Sequence, residues 1–376
     1  MKIVGAQVLG PDFQFHNYTV EVQEDTITAL NEAASQETSC DVVSYSGLKL
    51  IPGLIDTHMH GYYGKQCSSK NPEDLAVISY RLALEGVTGY AATISTSPDE
   101  RALAGIRSCR LAAEKDEGSQ LLAIHMEGPF MNPVKKGAMN AEFMQLPSKE
   151  LLDAYLAEGG DLIRLMTLAP ELEGTREFAE YAAEKGVTLS MGHTFATRQE
   201  ALDAADWGIH RATHTFNAMR PLDHRESGVL GAVLMDDRVQ CEMIADFVHV
   251  SPEVCQMIYK LKGADRVTLI SDSCSLAGLK QEDLPEDMPY IIGKAAYLKN
   301  GTLCGSVGTV MTCVRNMVSV GVPVEEAVKM ASLNPARDLR MDDRLGSIEV
   351  GKWATFVLVD DDLNVKAVYV KGKLIQ

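Results

Sequence analysis

The chain has 376 residues, 46% hydrophobic and 23% charged, with 35 Lys and Arg against 52 Asp and Glu, a formal charge of −17. This is the balance of a soluble globular protein long enough to bury a sizeable core. The acidic excess argues against nucleic-acid or anionic-membrane partners, which need a basic face. It still admits a small anionic substrate held by a local cluster of donors.

The first fifty residues read as short strands, at 2–9, 18–22 and 26–30, separated by turn residues. No targeting segment is read at the N-terminus, and no apolar run approaches the ~18 residues of a membrane span. From residue 50 onward, apolar β-branched runs alternate with helical patterns. The runs lie at 50–60, 88–95, 121–127, 162–169, 188–193, 212–216, 242–250 and 267–272. Helical stretches fall at 73–85, 98–114, 148–158, 175–185, 197–207 and 252–261. The first begins after Pro72 and stops at Gly86, the usual punctuation of a helix.

Eight buried strands with seven helical or loop crossovers predict a closed parallel (β/α)8 barrel. An open doubly wound sheet is the alternative, but no Gly-x-Gly-x-x-Gly follows a first strand. Residues 274–300 read as a long loop or hairpin insertion. Strands return at 354–359 and 365–370, and Lys371-Gly372-Lys373 reads as a tight turn. Strands from the two ends can share one sheet and cover each other's edges. The predicted organisation is a small β domain from 1–50 plus 346–376 and a barrel domain over 51–345. The eight cysteines, among them Cys40, form no Cys-x-x-Cys pair and read as reduced thiols of a cytoplasmic protein.

The polar residues gather at strand ends. The first barrel run ends Asp56-Thr57-His58-Met59-His60, and side chains two apart on a strand share a face. His58 and His60 therefore project together, as a pair of metal ligands would. Alone, such a pair is more often two hydrogen-bonded core histidines. It is not alone: His125 and Glu127, His193, His214, Asp246 with His249, and Asp272 stand at the ends of the other runs. Six of eight strands thus carry imidazole or carboxylate toward the face where barrel active sites are built. Such a gathering of charge calls for a cation, and mixed nitrogen and oxygen donors suit zinc, as well as iron or manganese.

These segments resemble the N-acetylglucosamine-6-phosphate deacetylases, a branch of the metal-dependent amidohydrolase superfamily. The similarity runs through Pro52-Gly53-Leu54-Ile55-Asp56-Thr57-His58-Met59-His60-Gly61, His125-Met126-Glu127-Gly128-Pro129-Phe130 and Lys135-Lys136-Gly137-Ala138. It continues through Thr167-Leu168-Ala169-Pro170-Glu171, Gly192-His193-Thr194 and Thr213-His214-Thr215-Phe216-Asn217-Ala218-Met219. Ala245-Asp246 with His249-Val250, Asp272, Gly301-Thr302-Leu303 with Gly305-Ser306, and Asn334-Pro335-Ala336-Arg337 complete it.

The resemblance implies a barrel with a small β-sandwich split between the termini. It implies Glu127, His193 and His214 as ligands of a main divalent metal, zinc before iron or manganese. His58 and His60 are available for a second ion, giving one or two per subunit. Asp272 matches the family's catalytic carboxylate, and His249 would orient or polarise the substrate. Asn217 and the backbone of Ala218 would contact the phosphate of an amino-sugar 6-phosphate. Ala138, Leu303, Cys304 and Gly305 would line the substrate site. Arg225 matches an arginine given to the neighbouring subunit's site, which implies a homodimer; by itself it reads equally as a surface ion pair with Asp223 or Glu226.

The chain departs from the family pattern at three places. Met139 stands where a histidine is usual, Ser271-Asp272-Ser273 replaces the common Thr-Asp-Ala, and Gly61-Tyr62-Tyr63-Gly64 replaces a glycine-rich run. The expected activity is deacetylation of N-acetylglucosamine 6-phosphate in amino-sugar catabolism. The alternatives are another N-acyl substrate, such as N-acetylgalactosamine 6-phosphate, and a non-catalytic metal-binding homologue. The last would lack a catalytic residue, whereas Asp272, Glu127, His193 and His214 are all present.

Overall fold

In the computed structural model, which describes residues 1–32, 41–115, 118–285 and 288–376, eight parallel strands form one sheet in sequential order. They are β1 (Leu54–Met59), β2 (Val87–Ser95), β3 (Gln120–Glu127), β4 (Ile163–Leu168), β5 (Thr188–Met191), β6 (Arg211–Ala212), β7 (Gln240–Met243) and β8 (Val267–Leu269). Each is followed by a helix: α1 (Pro72–Leu84), α2 (Asp99–Ala113), α3 (Lys149–Gly159), α4 (Thr175–Glu184), α5 (Arg198–Asp206), α6 (Gly228–Met235), α7 (Pro252–Lys262) and α8 (Val310–Ser319). This is the (β/α)8 arrangement. β1 is buried along its whole length and β2 along all but its last residue, as expected when both faces of a parallel sheet are covered.

The ring closes by a seam rather than a ladder. Beyond the end of β8, the Asp272 N–H donates to the His58 carbonyl at 2.9 Å and the His60 N–H donates to the Ser273 carbonyl at 2.8 Å. The Asp56 carboxylate joins the same edge, with Oδ1 accepting the N–H of Ser271 at 3.2 Å and of His58 at 3.3 Å.

The helices follow local rules. The Asn71 side chain caps α1 by accepting the Glu73 N–H, with Pro72 in the first turn. Thr197 and Glu200 form a reciprocal capping box on α5. α6, which periodicity does not reveal, is apolar on every side and buried from Gly228 to Leu234, so it has no polar face to mark it.

Three strands are shorter than the sequence reading. Where runs were read at 212–216, 242–250 and 267–272, the paired strands are Arg211–Ala212, Gln240–Met243 and Val267–Leu269. Further along, His214, Phe216, Phe247 and Asp272 adopt positive φ, where no regular strand continues. The run at 50–60 also divides. Lys49–Pro52 belongs to a terminal sheet and only Leu54–Met59 to the barrel.

The insertion at 274–300 is a hairpin, Tyr290–Ile292 with Ala295–Tyr297, extended by Leu303–Ser306 into three antiparallel strands. Residues from both termini build two further sheets. One orders Thr26–Glu32, Tyr18–Gln23, Lys2–Val4 and Val42–Ser44; the other orders Lys373–Leu374, Val365–Val370, Phe356–Val359, Lys49–Pro52, Gln7–Leu9 and Phe15–His16. The predicted strand at 2–9 is therefore two, one in each sheet, separated at Gly5 with φ +82°. Ile3, Val20, Val22 and Ile27 from the first sheet pack on Val8, Leu50, Phe356 and Leu358 from the second. Among the described residues no helix is long and apolar enough to cross a membrane. Cys40 lies outside the described residues, and the seven described cysteines are free thiols.

Candidate metal centre and active site

The strand ends deliver their polar side chains to one place. His193 Nε2 and His214 Nε2 lie 3.0 Å apart, and each is 3.2 Å from Glu127 Oε1. Three donor atoms thus make a nearly equilateral triangle. Tetrahedral bonds of about 2.0–2.1 Å to a central ion would hold donor atoms roughly 3.3 Å apart. His193 Nδ1 donates to the Lys135 carbonyl at 2.8 Å. A carbonyl only accepts, so the proton sits on Nδ1 and Nε2 presents its lone pair. With that lone pair facing Glu127 and His214, the triangle suits a cation at its centre.

A second cluster adjoins the first. His58 Nε2 is 3.3 Å from Glu127 Oε1 and 3.7 Å from Asp272 Oδ1. His60 Nε2 is 3.1 Å from Glu127 Oε2 and 3.2 Å from Asp272 Oδ1. Glu127 faces both clusters. Donor atoms of His58, His60 and Asp272 lie close enough to hold one ion, and those of Glu127, His193 and His214 another. His58 Nε2 and Glu127 Oε2 are buried and make no hydrogen bond, which fits donor atoms reserved for metal. Burial disfavours charge here, yet the carboxylates of Glu127 and Asp272 outweigh it and push His60 up to about 9, a proton that a bound cation would displace. For Asp272, desolvation is outweighed by His58 and His60, which hold the carboxyl at about 2.

The backbone at these residues is strained. His193 (φ +46°), His214 (φ +31°) and Asp272 (φ +47°) all occupy the left-handed region. Each such non-glycine residue costs of order 1–3 kcal/mol, offset by the packing of the barrel around it.

Above the clusters opens a cavity of about 580 Å³, a size suited to a small molecule. His60, Glu127, His193, His214, Asp272 and His249 lie on its wall, as do Ala138, Asn217, Ala218, Leu303, Cys304 and Gly305. The structure thus gathers every sequence-predicted site residue except His58, buried beneath, and Arg225. His249 is held by Asp246, which accepts from Nδ1 at 2.7 Å. Burial opposes its charge, but the Asp246 hydrogen bond prevails and raises its pKa. Met139 also lines the cavity, and Arg101 is the one Lys or Arg among the described lining residues. Arg225 lies outside it, in an exposed segment where its N–H donates to Asp223 Oδ1 at 2.8 Å.

His125 does not join the metal donors. It is buried, and its Nε2 pairs with Thr167 Oγ1 at 2.8 Å. Sequence reasoning gave no role to Glu242, Arg211 and Asp338, which form a buried ion-pair chain under His58. The available signal was a charged residue within the apolar run Cys241-Glu242-Met243, since carboxylates are almost never fully buried unpaired.

Comparison with known proteins agrees with this geometry. Residues 50–375 match the model of the amidohydrolase family. The chain is 34% identical over 354 residues to the N-acetylglucosamine-6-phosphate deacetylase of Bacillus subtilis, covering 92% of this chain and 89% of that protein. It is also 34% identical over 347 residues to the N-acetylgalactosamine-6-phosphate deacetylase of Escherichia coli O157:H7, covering 91% and 92%. The crystal structure of N-acetylglucosamine-6-phosphate deacetylase from Pasteurella multocida superposes with a TM-score of 0.92 at 30% identity, covering 99% of this chain and 98% of that one.

Proposed function

Because the chain belongs to the amidohydrolase family, in its N-acetylglucosamine-6-phosphate deacetylase branch, we propose that it hydrolyses the acetamide of N-acetylglucosamine 6-phosphate to the free amine and acetate. The observation that carries the reading is the Glu127–His193–His214 donor triangle beside the Asp272 carboxylate on one cavity wall.

Glu127, His193 and His214 would hold one divalent ion, and His58 with His60 and Asp272 a second; zinc suits these donors best. Such an ion supplies Lewis acidity to an amide carbonyl and lowers the pKa of water toward ~7. The remaining work belongs to the chain. Asp272, kept ionised, accepts the proton of the attacking water and returns it to the leaving nitrogen. Without that return the nitrogen would leave as an amide anion, which is too basic to expel. His249, with Nδ1 fixed on Asp246, directs Nε2 to the substrate and, when protonated, donates a hydrogen bond to oxygen.

Asn217 and Ala218 would receive the phosphate. Arg225 would complete that site from a second copy, since it is absent from the cavity wall of its own chain. A planar guanidinium offers a phosphate two parallel donors, and this is how so acidic a chain would hold an anion. The proposed unit is therefore a homodimer. Residues 1–50 with 346–376 form the proposed sandwich domain and 51–345 the barrel domain. Reduced cysteines accord with a cytoplasmic setting.

The test is acetate release by zinc-loaded protein offered N-acetylglucosamine 6-phosphate, its galactosamine and mannosamine isomers, and unphosphorylated N-acetylglucosamine. The proposal expects the first to be turned over with the highest kcat/KM. Preference for another isomer would move the assignment to that sugar, and indifference to phosphate would remove the phosphate site.

A further inference from the structure

The buried carboxylate of Glu242 touches both metal clusters without belonging to either. It is 1% exposed. Its Oε2 accepts from His58 Nδ1 at 3.2 Å, on the side of the second cluster. The same oxygen accepts the backbone N–H of His214 at 3.3 Å, on the side of the first. Its Oε1 accepts from Arg211 Nη2 at 2.8 Å. The other arm of Arg211 pairs with Asp338, and Asp338 Oδ2 accepts the Thr268 hydroxyl at 2.8 Å. The carboxylate is thus clamped from β6, β8 and the helix Leu333–Asp338.

This arrangement has two consequences for metal binding. A carboxylate can only accept, so Glu242 places the His58 proton on Nδ1 and turns the Nε2 lone pair toward Glu127 and Asp272. It also accepts the His214 N–H, at a residue whose positive φ is disfavoured for a side chain other than glycine. One side chain therefore sets a ring orientation in one cluster and a backbone twist in the other.

We propose that Glu242, clamped by Arg211, is a positioning residue that holds the two metal sites in register and so sets how tightly the His58–His60–Asp272 site binds its ion. The inference rests on the metal reading above, but its test reads metal and not turnover.

Wild-type protein and Glu242→Gln are each dialysed to metal-free buffer, reloaded with Zn2+, and assayed for bound equivalents and affinity by chelator competition. Circular dichroism reports the fold, and imidazole 15N NMR reports the His58 tautomer. Wild type is expected to hold two equivalents with His58 protonated at Nδ1. Folded Glu242→Gln should bind the second equivalent about 10–100-fold more weakly and lose the single tautomer. Glu242→Asp keeps the buried charge while drawing the carboxylate back from His58, and should weaken the same equivalent if Glu242→Gln does not fold. A folded variant with wild-type affinity for both ions overturns the proposal. Failure of both variants to fold overturns it in favour of a purely structural role. A wild type that holds fewer than two equivalents overturns the two-site reading and the inference together.

Discussion

Asp272 carries the most demanding assignment of any single residue. Asp272→Asn keeps the volume and removes the base, so turnover should fall by at least about 100-fold, the lower end of general-base effects. Zinc content at the Glu127–His193–His214 cluster should be unchanged, and full retained activity would remove Asp272 from the reaction. Arg225→Ala should raise KM for the phosphorylated sugar at least about tenfold and leave the unphosphorylated sugar unaffected, the mark of a lost charge-assisted contact. At this scale the sequence was informative wherever short motifs mark strand ends. His58, His60, Glu127, His193 and His214 all converge as their placement suggested. Glu242 and Arg211 were not legible as partners, because their pairing joins different strands across the barrel interior and no local spacing encodes it.

The barrel elements were legible because their buried runs are long and their helices carry ordinary caps and breakers. Their ends were not, since left-handed residues such as His214 and Asp272 have no composition signal. The run at 50–60 illustrates the limit. Its apolar pattern is continuous through Gly53, yet the chain passes there from a terminal sheet into β1. A Cβ on Gly53 would lie 2.1 Å from Thr88 Oγ1 and 2.9 Å from Thr88 Cβ, so the passage requires glycine. Gly53→Ala should cost about 1–3 kcal/mol through overpacking and lower Tm by several degrees in a calorimetric scan. Thr88→Ala in the same chain should recover part of that loss; no change in Tm would show that the junction adapts.

For the whole molecule, the proposed trans donation of Arg225 is tested by a mixing experiment. In the proposed homodimer, Arg225→Ala and Asp272→Asn each impair every site of their own dimers. A mixed dimer keeps one site with an intact Asp272 and an intact partner arginine, so random mixing should restore about a quarter of the sites. Recovery no greater than the sum of the parents would place Arg225 outside the neighbouring site. Removal of metal should act on the entire fold, because ions that bind only the native state stabilise it by mass action. Chelated protein should melt at lower temperature, and added Zn2+ should restore the original Tm. The barrel and its terminal sheets were anticipated from strand rhythm; the seam that closes the ring was not, because it consists of scattered contacts at the strand ends with no ladder to predict.

That seam has a consequence for how the polypeptide is made. The His58 carbonyl waits for the Asp272 amide, and Lys49–Pro52 waits for Phe356–Val359, its sheet neighbour. On the ribosome, the first strand of the ring emerges long before the last, and the edge of Lys49–Pro52 that faces Phe356–Val359 stays unpaired until some three hundred further residues have been made. A nascent chain cut short before residue 272 can neither seal the ring nor assemble the His58–His60–Asp272 donors. Uptake of the proposed second ion would thereby come late in synthesis, after residue 272 has met the first strand of the ring.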